Sequence, residues 1–538
     1  MKTIYKLRSQ GRFSLSGLIK KNPRPFRLSY LIGLAFILAS AQSLSQSDAR
    51  PNILLITADD MGYTDIGSFG GEIRTPNLDD LAASGVRFNN FHVGPACSQT
   101  RTMLMSGTYV EVGAATQGRA RVLSDSVVAL PQYMLDAGYH TYMAGKWHLG
   151  TGETQNPKAE GFESSFVLNT GVAEHFYFGG NAGTRSLYME DGEPANFPEG
   201  AYSSQLYADK MLGYMQENEG DGKPFFAWFS PTAPHWPIQV PEDYMEGYRG
   251  VYDAGWDELM LERLERADEM GILPQGYSLE GYPRTNVHWD TLSEEQQAYE
   301  ARTMELYAGM IENMDYHVGR IIDYLKETGQ YDNTLIIFSS DNGAEERVTV
   351  EVNGIDNSYE NLGNPNSYIY VGGWADAHSA PFRHQKGTQT EGGIRAPAFV
   401  TYPAMQNQGG IDDRLLSIMD FKPTFIELAG AEAPSTTYQG REILPVAGIS
   451  FADMVMGKES SSERPTPLWY SQALYEGPWK LMWIQEVAQW QLFNIVEDPS
   501  ETKNLAEEHA SLFTDMLDSW HSIGRAAGYT QGPENGQN

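Results

Sequence analysis

A single cysteine, Cys97, stands in a chain of 538 residues. That excludes intrachain disulfides and any zinc or iron–sulfur centre built from several thiolates. Basic residues are also scarce, with 38 Lys and Arg against 70 Asp and Glu, a net charge of −32. Such a surface repels phosphate backbones, so a nucleic-acid partner is not expected. No apolar run reaches the ~20 residues of a membrane-spanning helix; the longest, LSYLIGLAFIL, covers residues 28–38. Internal repeats and low-complexity stretches are missing between residues 51 and 538. Aromatic residues are plentiful, with 30 Tyr, 22 Phe and 11 Trp, enough to bury a large core and to rule out a disordered or fibrous chain.

The first 41 residues run against the acidic trend. They carry eight basic residues (Lys2, Lys6, Arg8, Arg12, Lys20, Lys21, Arg24 and Arg27), no acidic one, the apolar run, and then Ala39-Ser40-Ala41. Basic lead, short apolar stretch and small-x-small site are the parts of a secretory signal peptide, expected over residues 1–41, and an uncleaved anchor is the competing reading. The only cysteine lies too far from the run to be lipidated. A periplasmic or secreted protein without a stable membrane anchor is therefore expected. Removing the leader leaves 30 basic residues against 70 acidic ones, a balance of −40.

Residues 52–57 and 334–338 are short apolar runs, the pattern of strands buried on both faces. Thr75-Pro76 opens a helix that Gly85 closes. Met304, Tyr307, Ile311, Met314, Val318, Ile321 and Leu325 mark a longer amphipathic helix. Alternating strand and helix patterns predict an α/β fold with a mixed sheet and helices on both faces. Ala, Pro, Gly and Ser accumulate from about residue 430 to 466, which places a main domain at 50–430 and a smaller α+β domain at 431–538. In the latter, residues 479–484 and 490–495 read as strands and 511–523 as a closing helix.

Both buried-strand patterns end in acid: Asp59-Asp60 after the first, Asp341-Asn342-Gly343 after the second. Ligands of open α/β sheets bind outside the carboxyl ends of strands. Three carboxylates and an amide there would form an all-oxygen site for Ca²⁺ or Mg²⁺. Either pair taken alone is also an ordinary turn sequence. Cys97 precedes a helical run with Arg101 one turn along, a setting that suits an anion and lowers a thiol pKa. A buried cysteine before an amphipathic helix fits the spacing equally well. Lys146 and His148 in GKWHLG, at i and i+2, would share one face of an extended segment. His235 lies in the proline-stiffened APHWP, and Lys386 in KGTQTEGGIRAP; each also reads as an ordinary loop residue.

Taken together, these strings resemble the sulfatase family, nearest to the soluble bacterial arylsulfatases of the alkaline-phosphatase-like superfamily. The likeness runs through PNILLITADDMGYTDIG (51–67), TPNLDDLAASGVRF (75–88), GKWHLG (145–150), APHWP (233–237), SDNGAE (340–345) and LFNIVEDPSETKNLA (492–506), in fixed order. The resemblance implies a sulfuric-ester hydrolase with Asp59, Asp60, Asp341 and Asn342 as calcium ligands, magnesium being the less favoured ion. Cys97 matches the residue that a maturation enzyme converts to formylglycine, whose aldehyde hydrate is the nucleophile. Arg101 and Lys146 match the groups that hold the hydrate, and His148 the histidine that helps release sulfate. His235 and Lys386 match groups that bind sulfate and assist the leaving oxygen.

One position departs from the family motif. Gln99 stands where the modified sequence carries Pro or, less often, Ala, which bears on recognition of Cys97 by the maturation enzyme. Two other classes therefore stay in view: a phosphoester or phosphonate hydrolase on the same scaffold, and an inactive sulfate-ester binding protein with unmodified Cys97. The substrate expected is a small-molecule or carbohydrate sulfate ester, its alcohol read by loops such as residues 344–383.

Overall fold

Successive side chains of a strand point to opposite faces, so a strand that is apolar throughout needs cover on both. Leu54, Ile56 and Ala58 enter one apolar cluster together with Ala227, Phe229, Ile336 and Phe338. Ile53 and Leu55 enter a second cluster on the other face, with Phe226, Trp228, Leu335 and Ile337. The computed structural model describes residues 50–115, 122–176, 188–349, 354–405, 409–458, 461, 463–529 and 532–535. The expected leader at 1–41 and residues 350–353 of the 344–383 loop lie outside the described residues.

One ten-stranded sheet organises the chain. Its strands are β1 (Asn52–Ala58), β2 (Val86–Phe88), β3 (His140–Lys146), β4 (Ser164–Leu168), β5 (Tyr188–Glu190), β6 (Glu193–Ala195), β7 (Phe225–Ser230), β8 (Thr334–Ser340), β9 (Ala398–Thr401) and β10 (Gly410–Asp412). Their spatial order is β10-β2-β9-β8-β1-β7-β3-β4-β5-β6. The five strands from β8 to β4 run parallel. β9 is antiparallel to both of its neighbours, and β5 and β6 close the far edge antiparallel. The mixed α/β sheet expected from the alternating patterns is what forms.

Helices cover both faces. Pro76 opens α1 (Pro76–Ser84), with Thr75 before it and Gly85 after it. α2 (Cys97–Ser106) sends Met103, Leu104 and Met105 into the second cluster. α3 (Glu294–Glu327) starts at a capping box formed by Ser293 and Gln296, and its stripe from Met304 to Leu325 packs in the first cluster. Among the described residues no helix is long and apolar enough to cross a membrane.

A second, four-stranded antiparallel sheet follows: β11 (Leu468–Tyr470), β12 (Ala473–Glu476), β13 (Trp479–Ile484) and β14 (Gln489–Asn494). α4 (Ala510–Ala526) closes it by packing Met516 and Trp520 against Trp469, Leu474, Leu481 and Leu492. A buried charge network ties this sheet to the 383–395 segment. Lys480 on β13, fully buried, donates to Glu391 Oε1 at 2.8 Å and forms an ion pair with Glu501 Oε1 at 2.7 Å. Glu391 also faces His92 at 3.1 Å and Arg395 at 3.3 Å, and accepts from the Tyr475 hydroxyl at 2.6 Å. Arg383 holds the other oxygen of Glu501 at 3.1 Å. Burial alone would raise the Glu391 carboxyl; Lys480 and then His92 outweigh it and hold the group well below the usual carboxylate range.

Candidate active site

Because the central strands are parallel, their carboxyl ends lie along one edge, and the candidate residues sit there. β1 runs into Asp59 and Asp60, β8 into Asp341 and Asn342, and β3 ends at Lys146. β7 ends at Ser230 and leads to His235, between prolyl bonds that are both cis. Asp60 takes a left-handed backbone (φ 66°), a conformation that Asp tolerates better than most residues. Its N–H donates to Asp341 Oδ1 at 3.3 Å, and Asn342 Nδ2 donates to Asp60 Oδ1 at 2.8 Å. Gly343 lets this turn meet the segment after Lys386, since a Cβ there would lie 1.8 Å from the Gly392 carbonyl oxygen.

Three cations meet these acids in a desolvated cluster. Lys146 Nζ bonds the two oxygens of Asp59 at 2.9 and 2.6 Å, both side chains fully buried. Arg101 reaches Asp341 Oδ2 through Nε at 3.2 Å and Nη2 at 2.8 Å. Its Nη1 donates to Ser230 Oγ at 2.8 Å and to the Lys146 carbonyl. Lys386 Nζ bonds Asp60 Oδ2 at 2.5 Å, and His235 Nε2 stands 3.4 Å from the same oxygen. Donor atoms of Asp59, Cys97 and Asp341 lie within 4.8 Å of one another, as do those of Asp59, Asp60 and His235.

The electrostatics follow from burial and pairing. Burial pushes the Asp60 carboxyl upward, but His235 and Lys386 outweigh it and hold it well below its ordinary value. Burial also drives His235 well below the usual imidazole value, despite Asp60. Asp341 is raised to about 6 by burial and by Asp59, against Arg101. Asp59 is raised as well, chiefly by burial. Asp59 and Asp341 thus lack full compensation for their charge, and the Asn342 Oδ1 beside them is a buried acceptor with no hydrogen-bond partner. An all-oxygen set of three carboxylates and one amide fits a hard divalent cation.

Two expectations about local geometry need correction. Lys146 and His148 do not share the face of an extended segment, because the strand stops at Lys146 and His148 is left-handed (φ 56°). Its ring packs instead on Gly171, where a Cβ would lie 2.5 Å from Cε1. The second concerns the thiol. Cys97 is the first residue of α2, yet burial pushes its pKa up, and Lys146 and Lys386 offset this only in part. Desolvation of a thiolate outweighs the two lysines here, and Asp59 and Asp341 add to it. Gln99 is the third residue of that helix, and its N–H donates to the Ala96 carbonyl at 2.9 Å.

Other site groups went unread in the sequence. Glu345, buried, has Oε2 3.6 Å from Lys386 Nζ; it closes the SDNGAE string, which was the available signal. Ser230, the last residue of β7, carried none. His175 braces the His235 loop by placing Nε2 2.9 Å from the His235 carbonyl and Nδ1 2.7 Å from Ser203 Oγ. Nothing in its neighbouring sequence announces that.

Comparison with known proteins agrees with this geometry. A family model described as Sulfatase matches residues 51–431, and one described as N-sulphoglucosamine sulphohydrolase, C-terminal, matches residues 384–520. An uncharacterized sulfatase of Schizosaccharomyces pombe is 37% identical over 532 residues, covering 90% of this chain and 95% of that protein. An arylsulfatase of Klebsiella aerogenes is 34% identical over 452 residues, covering 80% and 97%. The crystal structure of Ps i-CgsB shares the fold, with a TM-score of 0.65 and 23% identity over 90% of this chain and 94% of that one. A buried acid–cation cluster around one cysteine at the carboxyl edge of a parallel sheet, with these matches along most of its length, means that the chain belongs to the sulfatase family, the hydrolases of sulfuric esters.

Proposed function

We propose that this protein cleaves sulfate monoesters of aryl or sugar alcohols with formylglycine, made from Cys97, as its nucleophile. The observation that carries the reading is the convergence of Arg101, Lys146, Lys386 and His235 with four metal-ligand candidates around Cys97. Formylglycine, once made, supplies an aldehyde hydrate whose oxygen attacks sulfur. Asp59, Asp60, Asp341 and Asn342 would hold calcium, which supplies positive charge beside the sulfate oxygens; ligands on separated loops favour it over magnesium.

The chain's own groups do the rest. Arg101 and Lys146, fixed by Asp341 and Asp59, are preorganised cations at the nucleophile, so they need no reorganisation as charge develops on the equatorial oxygens. Lys386 and His235 both approach Asp60 Oδ2 and stand together to bind sulfate and to assist the departing oxygen, the proton coming from the Lys386 ammonium. His148 assists expulsion of sulfate from its position on Gly171. Maturation by a formylglycine-generating enzyme, export through the 1–41 leader to the periplasm or beyond, and a division near residue 430 belong to the same reading.

Two measurements on protein from its native host test it. Mass spectrometry of the peptide containing Cys97 is expected to show at least partial conversion. Turnover of an aryl sulfate is expected to exceed that of the matching aryl phosphate. An intact thiol with no sulfatase activity would leave an inactive sulfate-ester binder, and a preference for phosphate would move the protein to the phosphoester hydrolases.

A further inference from the structure

The proposed mechanism leaves one wall of the pocket without a role. The rings of His235 and Trp236 lie 4.7 Å apart, and Trp236 meets Tyr368 at 5.5 Å and Tyr370 at 4.8 Å. The intervening Ile369 is fully buried, and its carbonyl accepts from the Ile238 N–H at 3.0 Å. Trp236, Tyr368 and Tyr370 remain half-buried. Arg347 places its guanidinium carbon 5.4 Å above the Trp236 ring. Gly372 N–H donates to the Arg347 carbonyl at 2.9 Å, an approach that a Cβ on Gly372 would block at 2.2 Å.

This wall is continuous with the groups proposed to bind sulfate. Arg347 Nη1 is 3.5 Å from Glu345 Oε2, and Lys386 Nζ is 3.6 Å from the same oxygen. Contacts therefore close a ring that runs Asp60, His235, Trp236, Arg347, Glu345, Lys386 and back to Asp60. Glu345 is 2% exposed, but the Arg347 side chain is 51% exposed, a guanidinium presented at the rim. In a chain of net charge −32, a local cation is needed to hold an additional anion there. A guanidinium over an indole presents a planar fork to carboxylate or sulfate, while aromatic faces accept the flat side of a ring.

We infer that Trp236, Tyr370 and Arg347 form the subsite for the leaving alcohol and select a ring-bearing alcohol that carries a second anionic group, a carboxylate or another sulfate ester. The inference rests on the sulfuric-ester reading above. It is tested with two esters of near-equal leaving-group reactivity, 3-sulfooxybenzoate and 3-sulfooxybenzamide. The parent protein is expected to favour the benzoate in kcat/KM by about tenfold, the size of one charge-assisted contact. Arg347→Gln should bring that ratio to about one, Arg347→Lys should keep part of it, and the melting temperature of both variants reports folding. Because Arg347 is half exposed, the preference should also shrink as NaCl is raised. No preference in the parent, or a preference that survives in Arg347→Gln, overturns the inference.

Calorimetric titration with the products, 3-hydroxybenzoate and 3-hydroxybenzamide, separates this failure from failure of the underlying reading. If neither ester is cleaved, the sulfatase mechanism fails. Benzoate binding that is lost in Arg347→Gln then still supports the subsite, and equal binding of both products refutes it.

Discussion

Replacing Lys480 by Met removes a cation shared by Glu391 and Glu501 while keeping the volume of the side-chain stem. In the parent, Lys480 Nζ lies 2.8 Å from Glu391 and 2.7 Å from Glu501, with all three side chains fully buried. Breaking a buried pair from one side costs about 3–5 kcal/mol, because the partner is left as an uncompensated charge. Glu391 keeps His92 and Arg395, and Glu501 keeps Arg383, which sets the expectation near the lower end, about 3 kcal/mol. For a folded chain of this size that is a fall in Tm of about 3 °C.

The pH dependence of that loss is the sharper test. Glu391 is held below its unfolded value, so its stabilisation is fully present above about pH 4.5 and is lost as pH falls through the folded value. Without Lys480 the folded carboxyl rises toward its unfolded value. The difference between parent and variant should therefore be largest near neutrality and shrink below about pH 4.5. Adding Glu501→Gln to Lys480→Met should recover about 1–2 kcal/mol by deleting one stranded charge. Urea denaturation at pH 7 and pH 4 with calorimetric Tm measures all of this. A loss under about 1 kcal/mol, or one that does not vary with pH, would refute the account of this network as a charge-compensated tie.

Three further outcomes are expected. Asp341→Ala should abolish turnover and remove the rise in Tm that calcium gives the chelated parent; if chelation and calcium readdition leave activity and Tm of the parent unchanged, the metal assignment is wrong. Burial raises Glu300 to about 7, so the folded state binds the extra proton between about pH 4.5 and 7 and loses stability as pH climbs through that window. Glu300→Gln should then match the parent at pH 4 and exceed it by about 1–2 kcal/mol at pH 8 in denaturation midpoints, a discounted figure for a group that is only partly buried. Finally, an acidic chain that takes an anionic substrate should show kcat/KM for a small aryl sulfate that is flat or rising with moderate NaCl, since screening beyond about 8 Å weakens the opposing field more than contacts inside the pocket. A steep fall would point to attractive steering instead.

The cores of β1 and β8 were legible because an unbroken apolar run has few places to go except between two layers. The start of α1 was legible for a similar local reason: Pro76 lacks the N–H that a first helical residue would leave unused. The helix stripe from Met304 to Leu325 and the closing helix over Ala510–Ala526 carry their periodicity in the sequence itself. Short strings, in order, also singled out the charged groups that the fold gathers at one edge.

What a string of residues does not contain is the net result of desolvation and the direction of a side chain after a strand has ended. Cys97 had the helix terminus and the neighbouring arginine expected to lower its pKa, yet burial decided the sign. His148, two residues from Lys146, left the extended run because the strand ends at Lys146 and its own backbone is left-handed. Glu345, Ser230, Trp236 and Arg347 acquire partners 41 to 129 positions away only when five parallel strands bring their loops to one edge. Local patterns determine which segments can be strands and helices. Long-range packing alone determines which charges meet without water between them.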